Sequence, residues 1–192
     1  MRDSGWTVNN MIKVPEHFHL LYAPEEISAR VEELAKEISS DYEGKRVHLV
    51  CVLRGAVVFL ADLLRCLEIA ASCDFLSVAS YGASTESSGV VRMLKDLDDP
   101  VEMRDVIIVE DIVDTGLTLK YIEEMLRTRK VASLAKCTLL DRPDRRKVEV
   151  EMDYVGFTIP DYYVVGYGLD FEQKWRQLPG IWAINWPQEQ DA

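Results

Sequence analysis

No stretch of the 192-residue chain approaches the ~20 consecutive apolar residues of a membrane span. The opening MRDSGWTVNN has no apolar core of signal-peptide length. These absences predict a cytoplasmic protein without a membrane partner. Cysteine is sparse. The four residues Cys51, Cys66, Cys73 and Cys137 form no CxxC pair, and no Cys/His spacing resembles a zinc site. They are expected as buried, reduced thiols. Positive charge is also short, with 22 Lys+Arg against 33 Asp+Glu and a net charge of −11. Such a surface repels phosphate backbones, so no nucleic-acid partner is expected, although local groups could still hold one small anion. The dinucleotide signature GxGxxG and the P-loop signature GxxxxGK[ST] are both missing after any strand-like run.

What the chain does have is alternation. Its length and 48% hydrophobic content suit one domain, without repeats or a linker. Residues 1–20 read as irregular. APEEISARVEELAKEISSDYEG (23–44) reads as an amphipathic helix, with Ile27, Val31, Leu34 and Ile38 on one stripe, Pro24 near the start and Gly44 past the end. RVHLVCVL (46–53) reads as a strand, 56–69 as a buried helix and 72–80 as a strand. YGASTESSG (81–89) is too polar to pack, and VVRML (90–94) follows it. DLDDP (96–100) is a turn with solvated acids. After the strand that begins at Val106, 118–130 is a helix with Lys and Arg in its last turn. SLAKCTLL (133–140) is a strand and DRPDRR (141–146) a loop. Further strands and turns fall in 153–160, 161–170 and 174–185. Strands alternating with helices define an α/β protein whose parallel sheet is covered on both faces. Ligands of such sheets sit beyond the carboxyl ends of the strands.

VIIVEDIVDTGLTL (106–119) places three carboxylates at that location. Backbone N–H groups at a helix start lack internal partners, and the helix dipole makes them attractive to anions. Gly116 permits close approach of the backbone, and Thr115 and Thr118 add hydroxyl donors. Residues 114–118 therefore suit a phosphate monoester. Glu110 and Asp111 would repel phosphate but suit sugar hydroxyls or magnesium. Together they describe a ribose 5-phosphate site. The plainer alternative is a helix capped by Asp114 or Thr115, with its acids in solvent.

The same stretch resembles the phosphoribosyl pyrophosphate signature of the type I phosphoribosyltransferases. Its Glu-Asp, two apolar residues, then Asp-Thr-Gly resembles the hypoxanthine-guanine branch. LRGA (53–56), SYG (80–82), LLDRPDRR (139–146) and PDYYVVGYGLDF (160–171) resemble further motifs of that branch, in its order, across roughly residues 15–185. The resemblance implies one domain over 1–192 with the type I phosphoribosyltransferase fold. That fold has a central, mostly parallel sheet flanked by helices and a small hood built from about 1–20 and 141–192. A mobile lid over about 80–92 opens with Ser80 and Tyr81.

The implied activity is transfer of the 5-phosphoribosyl group from phosphoribosyl pyrophosphate to N9 of a 6-oxopurine, with Mg²⁺ as cofactor. Glu110 and Asp111 match the acids at the ribose diol, directly or around magnesium. Asp114, Thr115, Gly116, Leu117 and Thr118 match the 5-phosphate loop, and Asp114 also matches the general base. Arg54, Gly55 and Arg176 match the pyrophosphate site, with a non-proline cis peptide often found at the bond equivalent to Leu53–Arg54. Arg142, Tyr163, Val164 and Asp170 match the purine site, and Asp170 also matches a magnesium-linked acid. Unaided, Tyr163 reads as a core aromatic and Arg176 as a surface charge. Arg142 and Arg54 replace the lysines usual in the branch, and the arginine fork is not equivalent to a lysine ammonium. The order of preference among hypoxanthine, guanine and xanthine stays open. A xanthine-preferring transferase and a donor-sensing regulatory protein are the competing readings. A homodimer or homotetramer is expected by resemblance.

Overall fold

The computed structural model describes residues 13–81 and 90–185, with side chains described for all of these except 80, 81, 90 and 91. Six strands form the main sheet: β2 (Arg46–Leu53), β3 (Ala70–Tyr81), β4 (Val90–Lys95), β5 (Asp105–Val113), β6 (Ser133–Asp141) and β7 (Tyr154–Thr158). Their order is β4-β3-β2-β5-β6-β7, and all neighbours are parallel except the β3–β4 pair. Side chains alternate across β5. Ile107 and Val109 pack in the core cluster under α1 (Pro24–Asp41) and α2 (Val57–Cys66), whereas Val106 and Ile108 pack in a second cluster under α3 (Leu117–Thr128). Covering on both faces explains why these strands read as unbroken apolar runs.

Helix α1 buries Ile27, Val31, Leu34 and Ile38, each at most 1% exposed. Burying one such side chain contributes about 1.5–3 kcal/mol. The Glu26 carboxylate accepts from the Ala23 amide at 2.8 Å, which satisfies one free donor at the helix start.

The topology fixes where a ligand can sit. From β2 the chain crosses through α2 to β3 on one side, while β5 lies on the other side of β2 and leads through α3 to β6. The crossovers diverge between β2 and β5, so a crevice opens at the carboxyl ends of these two strands. Arg54-Gly55 follows β2 there, and residues 110–118 surround the end of β5. The Leu53–Arg54 peptide is cis.

Several expectations need correction. Residues 1–20 are not wholly irregular, because Phe18–Tyr22 forms β1. It joins β9 (Ile181–Ile184) and β8 (Val164–Val165) in a separate antiparallel sheet ordered β1-β9-β8. The predicted hood range also included 154–158, yet that strand pairs with β6 as the edge of the main sheet. Helix α2 stops at Cys66, and β3 begins at Ala70. The acids of 96–100 are not simply solvated: Asp96 accepts from Arg129 at 2.8 Å, and Asp98 pairs with Lys95 at 3.1 Å. Of the four free cysteines, Cys51 and Cys137 are buried but Cys73 is exposed. No helix among the described residues is long and apolar enough to cross a membrane.

Candidate active site

Two adjoining cavities open above the divergence of β2 and β5. The first, about 310 Å³, is lined by Arg54, Gly55, Glu110, Asp111, Asp114, Thr115, Gly116, Thr118, Asp170 and Arg176 among others. The second, about 270 Å³, is lined by Arg142, Arg145, Tyr163, Val164 and Leu169, and shares Asp111, Ile112, Asp114 and Asp170 with the first. Leu117 lines neither. Ser80 and Tyr81 end β3, where their backbones pair with Val91 and Val90. Ser77 is level with Leu53 at the end of β2, so β3 runs roughly 13 Å further over the crevice. The side chains of Ser80 and Tyr81, and Gly82–Gly89, lie outside the described residues.

The turn into α3 is built from backbone. Gly116 is the N-cap, at φ +81° in the left-handed region, and no side chain caps the helix. Gly116, rather than Asp114 or Thr115, occupies the cap position. Thr115 Oγ1 accepts from the Leu117 amide at a long 3.4 Å. An added Cβ at Gly116 would lie 3.0 Å from Arg146 Cδ and 3.2 Å from Val148, because the 142–148 segment packs over the turn. That segment is fastened at Thr115, whose carbonyl accepts from the Lys147 amide at 2.9 Å, and at Asp114, whose carbonyl accepts from Arg146 at 2.6 Å.

Glu110 and Asp111 continue the two side-chain rows of β5. Glu110 is only 7% exposed. Burial, then the neighbouring Asp111 charge, pushes its pKa well above the carboxylate range. Burial likewise pushes Asp111 up to about 6, against the opposing effect of its hydrogen bond from the Ile112 amide at 2.8 Å. Asp111 also explains Gly55, where an added Cβ would lie 1.5 Å from Asp111 Oδ2. Two adjacent buried acids, with only Arg176 offsetting Asp111 from a distance, suit a ligand that brings hydroxyl donors or a cation.

Asp114 stands between the cavities. Arg142 Nη2 donates to its Oδ2 at 3.1 Å, and Arg145 Nε lies 3.6 Å from its Oδ1. Asp161 closes the ring, with its Oδ1 at 3.3 Å from Arg142 and 3.5 Å from Arg145. Arg142, 7% exposed, also donates to the Tyr162 carbonyl. Asp114 Oδ1 is buried without a hydrogen-bond partner, as is Arg142 Nε. Both fit a site that a polar ligand completes. Tyr163 is 45% exposed at the rim, not a core aromatic, and contacts Phe171 edge-on at 5.4 Å.

Arg176 is not a free surface charge. It pairs with Asp170 at 2.6 Å and donates to the Gly168 carbonyl at 2.8 Å. Glu110, Asp111 and Asp170 all line the first cavity. Among the described residues no group of three or more His, Cys, Asp or Glu side chains is gathered to hold a metal ion by itself. The sequence reading also missed Arg145 and Asp161; the RPDRR run was the one available signal for Arg145.

Comparison with known proteins agrees with this geometry. Residues 20–172 match the phosphoribosyl transferase domain family. The hypoxanthine-guanine phosphoribosyltransferase of Bacillus subtilis is 48% identical over 165 residues, 86% of this chain and 92% of that protein. That of Streptococcus thermophilus is 46% identical over the same shares. The crystal structure of a Staphylococcus aureus hypoxanthine phosphoribosyltransferase superposes with a TM-score of 0.84 at 45% identity, covering 87% of this chain and 91% of that one. A lysine-to-arginine variant of the Trypanosoma cruzi enzyme, solved as a ternary substrates complex, gives 0.82 at 43% identity, covering 86% and 94%. The chain belongs to the phosphoribosyltransferases, and within them to the hypoxanthine-guanine phosphoribosyltransferase family. It is a transferase enzyme.

Proposed function

We propose that the chain joins a 6-oxopurine, hypoxanthine and at least one of guanine and xanthine, to the ribosyl group of phosphoribosyl pyrophosphate. The products are the nucleoside monophosphate and pyrophosphate. One observation carries the reading: an uncapped helix start and a buried acid pair meet in one crevice, with Asp114 shared between that crevice and a second cavity edged by an aromatic ring.

In this reading the 5-phosphate sits on the amides and hydroxyls of 114–118, and Glu110 and Asp111 take the ribose diol. The purine lies against Tyr163. Arg142 has committed donors to Tyr162, Asp161 and Asp114, and its remaining N–H groups face the 6-oxo oxygen. An adenine amino group would present a donor to these donors. As the bond from N9 to ribose C1 forms and the bond from C1 to pyrophosphate breaks, the N7 proton passes to Asp114 Oδ1. The anionic neighbours stabilise positive charge on the ribose. Arg54, Arg176 and the Gly55 amide receive the departing pyrophosphate.

Magnesium fits as a shared ion. Glu110 and Asp111 would supply two carboxylates, with substrate oxygens and water completing the shell. When bound it would offset the charge of the donor and of its leaving group. The small sheet acts as the hood over the base. A cytoplasmic homodimer or homotetramer without a nucleic-acid partner completes the proposal. The test is a panel of bases with phosphoribosyl pyrophosphate and Mg²⁺, scored by pyrophosphate release. Turnover of hypoxanthine with guanine or xanthine, and none of adenine, is expected. Efficient use of adenine contradicts it.

A further inference from the structure

The turn after Asp170 contains a contact that the roles above do not use. Gln173 Oε1 accepts two hydrogen bonds, from Arg54 Nη1 at 3.1 Å and from Arg176 Nη2 at 3.3 Å. The Gln173 amide donates to Asp170 Oδ2 at 2.8 Å. One residue is thus tied to three that line the first cavity. Its backbone adds a second, independent observation. Gln173 has φ +63°, between Glu172 at +51° and Trp175 at +76°. Residues bearing a Cβ rarely adopt this left-handed region, and such strain persists where surrounding contacts over-determine it, often at functional sites. The contacts are present. Gly168, earlier in the same segment, packs so closely on the pyrophosphate-side loop that an added Cβ would lie 2.1 Å from the Gly55 carbonyl oxygen.

We propose that Gln173 is a positioning residue for the leaving-group site: its amide oxygen spans Arg54 and Arg176 and sets their separation. The inference rests on the assignment of both arginines to pyrophosphate. A neutral acceptor suits this task. It orients two guanidiniums without adding a second carboxylate beside the Asp170 that already pairs with Arg176. Its bonds use one N–H of each guanidinium, so other donors of Arg54 and Arg176 remain for the pyrophosphate while Gln173 holds both in place.

The test is steady-state kinetics in both directions on Gln173→Met, which keeps the length and loses the acceptor, and on Gln173→Ala. The KM for phosphoribosyl pyrophosphate and the KM for pyrophosphate in reverse should each rise roughly 3–10-fold, the size of one ordinary net hydrogen bond. The KM values for base and nucleotide should stay as they are. In an Arg54→Ala background the effect of Gln173→Met should shrink. Unfolding midpoints are read alongside. A fall in the midpoint with all four KM values rising together would make Gln173 merely structural and overturn the proposal. Unchanged KM values for donor and pyrophosphate in Gln173→Met would do so as well. If Arg54→Ala and Arg176→Gln themselves leave both values unchanged, the assignment of the arginines has failed, and this inference with it.

Discussion

Replacing Gly55 by alanine adds one methyl group where the structure has no room for it. The new Cβ would lie 1.5 Å from Asp111 Oδ2 and 2.6 Å from its Cγ, whereas Cβ atoms essentially never approach a neighbour closer than 3.0 Å. The carboxylate, or the loop, must therefore retreat by about 1.5 Å or more. Asp111 cannot simply swing away, since its Oδ1 holds the Ile112 amide at 2.8 Å. In the proposed role this carboxylate meets the ribose diol, and a misplacement of ~1 Å in such a group costs about 10²-fold. The expectation is a fall of about that size in kcat/KM for phosphoribosyl pyrophosphate, or ~2.7 kcal/mol of transition-state stabilisation. Overpacking should also cost ~1–3 kcal/mol of folding stability, read as a denaturation midpoint. A double-mutant cycle separates this clash from general loop damage. With Asp111→Ala present, most of the stability cost of Gly55→Ala should vanish, because the obstructing carboxylate is gone. Gly55→Ala with kcat/KM within about threefold of the parent, ~0.65 kcal/mol, would refute the reasoning. So would an unchanged stability cost in the Asp111→Ala background.

Other consequences follow from the same geometry. Asp114→Asn should lose ~10²–10⁴-fold in kcat while the KM for the donor changes little, because the backbone cradle at 115–118 survives; single-turnover kinetics would show it. Arg142→Met should raise the KM for the base and cost ~1–3 kcal/mol of stability in urea denaturation, since it removes the donors to Asp114 and the Tyr162 carbonyl while Arg145 stays beside Asp114 and Asp161. Asp74, 5% exposed, holds the 96–100 turn by accepting from the amides of Phe75 at 2.6 Å, Asp98 at 2.8 Å and Asp99 at 3.0 Å. Burial alone would raise its pKa, but these amide bonds and Lys95 together hold it below the ordinary 3.8. A depressed carboxyl pKa stabilises the fold above the unfolded value and loses that contribution as pH falls through the folded value. Asp74→Ala should therefore cost ~1–3 kcal/mol, constant from about pH 8 to pH 5 and shrinking only below about pH 4, by denaturation at each pH.

What could be read in the sequence was local. The β5–turn–α3 unit is contiguous, and its apolar run, acids and glycine each have a meaning without their neighbours. The stripe on α1 is likewise set by helical period alone. What escaped reading depends on partners far along the chain. Phe18–Tyr22 is a strand only because Ile181–Ile184 lies beside it, and nothing in FHLLY announces that partner. Tyr163 and Arg176 read as core and surface in isolation, because their placement depends on how β8 and the 166–176 turn fold back onto the Gly55 loop. The ring of Asp114, Arg142, Asp161 and Arg145 draws on three separate segments, so its RPDRR signal shows charge but not partners. The pairing of Asp170 with Arg176, six residues later, was out of reach for the same reason.

The central claim concerns the turn at 114–118 and the acids beside it. A crystal structure of the protein with inosine monophosphate tests it most directly. The phosphate should lie within hydrogen-bond distance, about 3 Å, of the 115–118 amides, with the ribose hydroxyls at Glu110 and Asp111 and the base against Tyr163. A nucleotide lodged elsewhere with this crevice empty, or one whose phosphate lies on Arg54 and Arg176 instead, would contradict the account.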